Sequence, residues 1–341
     1  MQIAIFGSYG QGNIGDEAIA DGLAKIIKKA CPKSTLVLFS HQHPSLNDSH
    51  PDFESIRPMI ASGVRSFWSQ LRSGEWQKNI EILNTCDFVM IGGGGIFHDR
   101  EVDQKGLSPL FIWWLRCILF KLLGKRIAIA TVGIGPIKSS LSHWWLKGIF
   151  KRAKIITVRD QSSQELAQHF TQKSVTVLPD PVWGLLPTPK QKQSSGTLGI
   201  NIRANHRFTT QQLWKQLIAL IDTAMNQTKF QNILLIPFAQ HQPDDRDIMN
   251  ELAPLIKDYT HLPVTVTHCS STQDAYDQVA QCDYFIATRF HSYIFAKSAE
   301  IPCLLLSYSD KTDQITKHEK VYYLEQQKLA IAFWHQKLMV D

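Results

Sequence analysis

The sequence predicts an α/β protein of two doubly wound, Rossmann-like domains with a cleft between them. Three observations predict it. Short Val/Ile/Leu-rich runs alternate with helical patterns from end to end, the pattern of parallel sheet covered on both faces. The alternation breaks once, at "LLPTPKQKQSSGT" (185–197), where Pro, Gln, Lys and Ser read as a linker. The 341 residues, 44% hydrophobic and 19% charged, are enough for two globular domains with separate cores.

In the first half, strands are expected at "IAIFGS" (3–8), "TLVLFS" (35–40), "DFVMIGGG" (87–94), "RIAIATVGI" (126–134), "KIITVRD" (154–160) and "VTVLPD" (175–180). Helices fall between most of them, for example Asp16–Ala30 and Ser162–Phe170. After the linker the pattern restarts with "LGINIR" (198–203), "NILLIPFA" (232–239), "VTVTHCS" (264–270), "YFIATRF" (284–290) and "CLLLSY" (303–308). The expected domains are therefore 1–185 and 196–312, followed by a helical tail, 313–341. No repeat of solenoid length occurs.

A formal net charge of +6 points to an anionic partner. No block of Lys/Arg with interleaved aromatics appears, so nucleic acid is not expected. Cysteines 31, 86, 117, 269, 282 and 303 are scattered beside apolar runs, without C-x-x-C or zinc-like spacing, as in a reducing compartment. Met1 runs straight into the first strand and leaves no room for a secretory signal, so a cytoplasmic protein is expected. The apolar segment 110–126 is interrupted by Arg116 and Lys121 and falls short of the roughly 20 residues of a spanning helix. Segments 109–126 and 142–154 each pair tryptophan with Lys or Arg, which suggests peripheral contact with the inner face of the plasma membrane. For at least one of the two, tryptophans packed on the sheet are the plainer expectation.

Gly10-x-Gly12-x-x-Gly15 has dinucleotide-site spacing. That reading needs an acidic residue at the end of the second strand, and "LVLFSHQH" offers Ser40 and His41 instead. Asp16 and Glu17 also follow the last glycine, where they would repel a pyrophosphate while suiting a helix N-terminus. A dinucleotide is not expected. Three glycine loops nonetheless end first-half strands: Gly7–Gly15, Gly92–Gly95 and Gly133/Gly135. Together they suggest a lined binding edge.

The motifs "YGQGNIGDEAI" (9–19), "GGGGIFHD" (92–99), "GIGPI" (133–137), "TVRDQSS" (157–163), "DP" (180–181) and "TRFHSYIFA" (288–296) occur in the order seen in polysaccharide pyruvyl transferases, which this chain resembles over about 300 residues. The resemblance implies a fold similar to the two-domain, GT-B-like glycosyltransferases. It also implies transfer of a pyruvyl group from phosphoenolpyruvate to a sugar of a cell-surface polysaccharide or its lipid-linked precursor, as a cyclic ketal. His98-Asp99 stands where the family often has Gln-Asp, and Thr288 and Phe290 flank Arg289-x-His291 where aliphatic residues are usual.

Such chemistry needs cations for a trianionic donor, an acid for the vinyl carbon and a base for the acceptor hydroxyl. "TRFHS" places Arg289 and His291 just past "YFIA", and Lys311 follows "CLLLSY", all at one sheet edge. The resemblance implies that the matching His and Lys serve donor use. Expected catalytic residues are His291 (proton donor or phosphate ligand), Asp16 and Glu17 (base or sugar ligands). Expected substrate-binding residues are Arg289, Lys311, Arg159, Arg203, Gly12, Asn13, Gly94, Gly95 and Asp99. Plainer roles stand beside these: Asp160 as a helix cap paired with Arg159, Asp16 and Glu17 as helix-terminal charges. The histidines of "HQHPSLNDSH" (41–50) lack ligand spacing, and Asp245-x-Asp247 falls where a helix begins, so neither metal nor cofactor is expected. A nucleotide-sugar glycosyltransferase of the same fold and a non-catalytic glycan-binding protein are the competing expectations.

Overall fold

The structure is a computed structural model that describes residues 1–41, 50–61, 63–99, 107–185, 194–203, 209–240, 244–306 and 320–339. The chain forms two compact units. The first comprises Met1–Gln11, Ala18–Pro181 and Glu325–Asp341, and the second Gly12–Glu17 and Val182–Leu324.

In the first unit, β1 (Gln2–Phe6), β2 (Thr35–Ser40), β3 (Ser55–Pro58), β4 (Phe88–Gly92), β5 (Arg126–Val132), β6 (Ala153–Val158) and β7 (Thr176–Val177) form one sheet in the order β3-β2-β1-β4-β5-β6-β7. Every pairing is parallel; Ile3, for example, sits opposite Leu36 on one side and Phe88 on the other. Strands β1, β2, β4 and β5 are buried along almost their whole length, which explains their unbroken apolar sequences. Around the sheet run α1 (Ile14–Ala30), α2 (Val64–Arg72), α3 (Glu75–Thr85), α4 (Pro109–Leu122), α5 (Ser140–Arg152) and α6 (Gln161–Gln168). Phe6 stacks on Phe39 at 4.2 Å and meets Phe120 of α4 at 4.8 Å, tying strands to helix.

Strand order reverses between β1 and β4. Their carboxyl ends lead into the loops after Phe6 and Gly92, the place where open parallel sheets bind ligands. Strand β3 was not expected from sequence. "SIRP" buries only Ile56 and lies at the sheet edge, so it carries no apolar run. "VTVLPD" shrinks to a two-residue strand at the opposite edge.

The second unit repeats the plan. Its strands β8 (Thr197–Ile200), β9 (Asn232–Leu235), β10 (Val264–Val266), β11 (Tyr284–Ala287) and β12 (Cys303–Leu305) lie in the order β10-β9-β8-β11-β12 and are all parallel. Helices α7 (Thr210–Met225), α8 (Asp245–Thr260), α9 (Thr272–Ala280) and α10 (Phe290–Ser298) connect them. Helix α7 starts with a capping box, in which Thr209 Oγ1 accepts from Gln212 N and Gln212 Oε1 from Thr209 N. Here the order reverses between β8 and β11.

The last helix, α11 (Lys320–Met339), returns to the first unit. Trp334 is fully buried there, and His335 Nδ1 lies 2.6 Å from the carbonyl oxygen of Ala30 at the end of α1. Five of the six cysteines are buried and none is in a disulfide, consistent with use as small apolar residues. Among the described residues, no helix is long and apolar enough to cross a membrane.

Candidate functional site

The site is built where β8 and β11 part. The residue after β8 is Asn201, fully buried, and its carboxamide pins the turn that follows β11. Asn201 Oδ1 accepts from Arg289 N at 3.1 Å, Ser292 Oγ at 3.0 Å and Thr288 Oγ1 at 3.4 Å, while Nδ2 donates to Ile236 O at 3.0 Å. A buried amide with its donors and acceptors engaged fixes local geometry, because breaking any bond strands a polar group. Helix α10 starts from this turn with Arg289 as its N-cap residue. His291 therefore sits in the first helical turn, at the positive end of the helix dipole.

Arg289 makes a side-on ion pair with Asp245, the first residue of α8. Nε donates to Oδ2 at 2.7 Å and Nη2 to Oδ1 at 2.6 Å. Asp245 is 2% exposed and Arg289 11%, and Asp245 Oδ2 also accepts from Phe238 N (3.1 Å) and Ala239 N (3.0 Å). The sequence offered Arg289 as an anion ligand and Asp245 as a carboxylate where a helix begins. Asp245 does begin α8, and in addition it takes one edge of the Arg289 guanidinium, leaving Nη1 outside the pair.

Residues 12–17 belong to this unit. Asn13 bridges Ala239, Ile14 N donates to Phe238 O at 2.8 Å and Gln240 N to Gly12 O at 2.9 Å. The Asn13 side chain closes the turn: Oδ1 accepts from Gly15 N at 3.1 Å and Nδ2 donates to Asp16 Oδ2 at 2.9 Å. Gly12 and Asn13, expected as substrate contacts, thus hold the loop that presents Asp16. A Cβ on Gly15 would lie 2.1 Å from His291 Nδ1, so only glycine lets the imidazole pack against this backbone. Asp16 has its pKa raised to about 6, chiefly by burial and also by Glu17, against the opposing pull of His291 and Arg289. Asp16, Arg289 and His291 are therefore gathered at one place, with Glu17 beside Asp16.

Of the other expected residues in this unit, Arg203 is exposed just beyond β8. Lys311 lies outside the described residues, as does most of the histidine-rich segment at 41–50. Among the described residues, no group of three or more His, Cys, Asp or Glu could hold a metal ion.

The first unit has its own set. Gly93 and Gly94 take positive φ (63° and 72°), and Gly94 O accepts from Gly133 N at 2.8 Å, which joins two of the glycine loops. Nothing lies within 4 Å of where a Gly95 Cβ would be. The Arg159 guanidinium lies against the Gly133 backbone, with Nε 3.3 Å from Asp160 Oδ2 and Nη1 3.9 Å from Asp180 Oδ2. Asp160 also caps α6, accepting from Ser163 N at 2.7 Å, so the plainer reading of Arg159–Asp160 describes what is seen. Asp99 is engaged locally. Its Oδ2 accepts from Lys138 N and from Ser139 N (3.0 Å); burial pushes its carboxyl up, but the Ser142 side chain and these backbone bonds together hold it below the usual range. It secures the loop entering α5, a role its sequence position did not reveal.

Two doubly wound parallel sheets, each with a strand-order reversal, define a GT-B-like fold. Solved structures agree over nearly the whole chain. Anabaena Alr3699/HepE in complex with UDP and glucose superposes with a TM-score of 0.55 at 13% identity, covering 99% of this chain and 98% of that one. UDP-GlcNAc 2-epimerase from Methanocaldococcus jannaschii gives 0.58 at 10% identity, covering 97% and 92%. At such identities the likeness shows the fold alone. Curated protein sequences gave no match. The sequence model of the polysaccharide pyruvyl transferase family matches residues 13–310, and the chain belongs to that family.

Proposed function

We infer that the protein moves a pyruvyl group from phosphoenolpyruvate onto two hydroxyls of one sugar in a cell-envelope glycan, closing a cyclic ketal and releasing phosphate. What supports this reading, beyond the family, is the meeting of His291, Asp16 and Arg289 at the strand-order reversal of the second unit. His291 protonates the vinyl CH2 of the donor, which becomes a methyl group and leaves an oxocarbenium-like centre at C2. A first acceptor hydroxyl attacks C2 and gives its proton to the Asp16 carboxylate, whose pKa of about 6 leaves it mostly ionised at neutral pH yet basic enough to accept. The C2–O bond to phosphate then breaks with its electron pair on the leaving oxygen. The second hydroxyl adds to C2 and its proton goes to phosphate, while His291 is restored by the proton held on Asp16. Arg289 Nη1, Arg203 and Lys311 supply positive charge for the carboxylate and phosphate of the donor. This acid–base chemistry calls for no cofactor.

The acceptor is a polysaccharide or its lipid-linked precursor on the cytoplasmic side. The experiment is incubation of acceptor glycan with phosphoenolpyruvate or with a UDP-sugar. Release of phosphate together with a ketal-bearing product supports the assignment, and His291→Gln should cut kcat about 10²–10⁴-fold while donor binding persists. Nucleotide release from the UDP-sugar would make it a glycosyltransferase instead. Glycan binding without turnover would make it a binding protein.

A further inference from the structure

The first unit carries an apolar face that runs into a basic one. Helix α4, "PLFIWWLRCILFKL", has only two charged residues, and Arg116 is turned inward. Its Nη2 donates to Ile60 O at 2.8 Å, its guanidinium lies 4.8 Å over Trp113, and burial pulls its pKa to about 10. The outward side of α4 is consequently aliphatic, with Leu115 exposed and Leu122 80% exposed. Beside it a cavity of about 550 Å³ is lined by Val64, Phe67, Trp76, Phe111, Leu115 and Leu119, among others. Val64 and Leu107, which line this cavity, and Trp68 of α2 are exposed as well. Trp114 of α4 meets Trp144 of α5 at 4.9 Å, and Trp144 is 58% exposed.

At the C-terminal ends of α4 and α5 the character changes. A second cavity, about 500 Å³, is lined by Lys121, Lys125, Arg126, Lys151, Arg152 and Lys173, and no carboxylate lines it. Lys125 and Lys173 hold backbone carbonyls, the latter those of Phe150, Lys151 and Ala153, while Lys121 and Lys151 stand exposed. The two surfaces are continuous. Lys121 belongs to α4 itself, and Arg152 reaches from the basic cavity to within 6.0 Å of the Trp114 ring.

We propose that this face of the first unit docks on an anionic lipid bilayer. Leu115, Leu122 and Trp144 enter the headgroup–acyl boundary and the lysines lie against lipid phosphates. A soluble polyanion would match the basic half alone and leave the aliphatic stripe in water, which soluble proteins avoid over an extended patch. An uncharged protein surface would match the apolar half and leave the cations unanswered. An anionic membrane surface answers both, since tryptophan favours the headgroup layer and each nearby Lys or Arg adds attraction to acidic lipid. Attachment is at the surface, because α4 is a 14-residue helix and no described helix can span.

The test is flotation of the full chain with vesicles, without substrate, so the result is independent of the transfer reaction. Binding to mixed phosphatidylcholine/phosphatidylglycerol vesicles at low salt, and not to phosphatidylcholine alone, is expected. Lys121→Glu/Lys151→Glu should lower partitioning by at least about tenfold, given the attraction each exposed lysine contributes. Leu115→Gln/Leu122→Gln/Trp144→Gln, with the lysines intact, should do the same at an unchanged Tm. Absence of flotation overturns the proposal, as does full binding by the apolar variant, which would reduce the face to an anion site. Self-association without lipid, abolished by the apolar variant, would also overturn it in favour of a second copy of the chain.

Discussion

Gly15 and His291 are in backbone-to-ring contact: any Cβ at residue 15 would stand 2.1 Å from Nδ1 and 2.6 Å from Cγ of the imidazole. The ring has no flexible stem on which to swing aside, because its own Cβ would lie 2.9 Å from the added atom. Gly15→Ala should therefore displace His291 while the sheets remain intact. Overpacking of this kind costs about 1–3 kcal/mol, so a modest fall in Tm should accompany a loss of kcat comparable to His291→Gln. An alanine variant with wild-type turnover would show that the imidazole is not needed where it lies.

The fold was largely legible in the sequence because its central strands are buried on both faces and read as apolar runs. The exceptions are physical. Ser55–Pro58 is an edge strand with one buried side chain, and the strand ends at 201–203 and 236–239 have already left the sheet. Of the candidate site, His291, Arg289 and Asp16 were legible as polar, ionisable residue types at strand ends or helix starts. Asn201 and Asp245 were not, because their roles depend on partners 88 and 44 residues away. One signal for Asn201 was present: a lone amide inside the apolar run "LGINI" must find partners if buried.

The Arg289–Asp245 pair should be structural as well as substrate-facing. Arg289→Ala leaves Asp245 buried without its counter-ion, and breaking such a pair typically costs about 3–5 kcal/mol. Thermal unfolding should detect this before any assay. Arg289→Lys should retain more stability but lose the side-on fork, raising the donor KM more than the acceptor KM. Unchanged donor KM in a folded Arg289→Lys variant would remove Arg289 from the binding residues.

Asp16 sets a pH dependence whose sign is fixed. Its carboxyl titrates at about 6 in the fold against roughly 3.9 in an unfolded chain. The folded state therefore holds the proton more tightly, and the resulting stability is complete below about pH 4 and lost as pH rises through 6. Asp16→Asn cannot ionise, so relative to wild type its Tm should improve between pH 4 and 7. A Tm difference that stays flat across that window would contradict the raised pKa.

Asp99 gives the contrasting case. Asp99→Ala removes the acceptor for Lys138 N and Ser139 N, comparable to loss of a helix cap at about 0.5–2 kcal/mol. Stability should fall, with KM for donor and acceptor unchanged. An altered acceptor KM at constant Tm would instead return Asp99 to the sugar-binding residues.

The routing of the polypeptide limits how this protein can be dismantled. Residues 12–17 pair with Phe238, Ala239 and Gln240, and the final helix buries Trp334 in the first unit. Neither unit is a single contiguous segment. A fragment cut at the linker and starting near Val182 would lack both Asp16 and the backbone that covers His291. A fragment ending near Pro181 would lack Trp334. Chimeras that exchange donor specificity between relatives must therefore carry residues 12–17 and the C-terminal helix as separate grafts, since a single crossover point would divide both units.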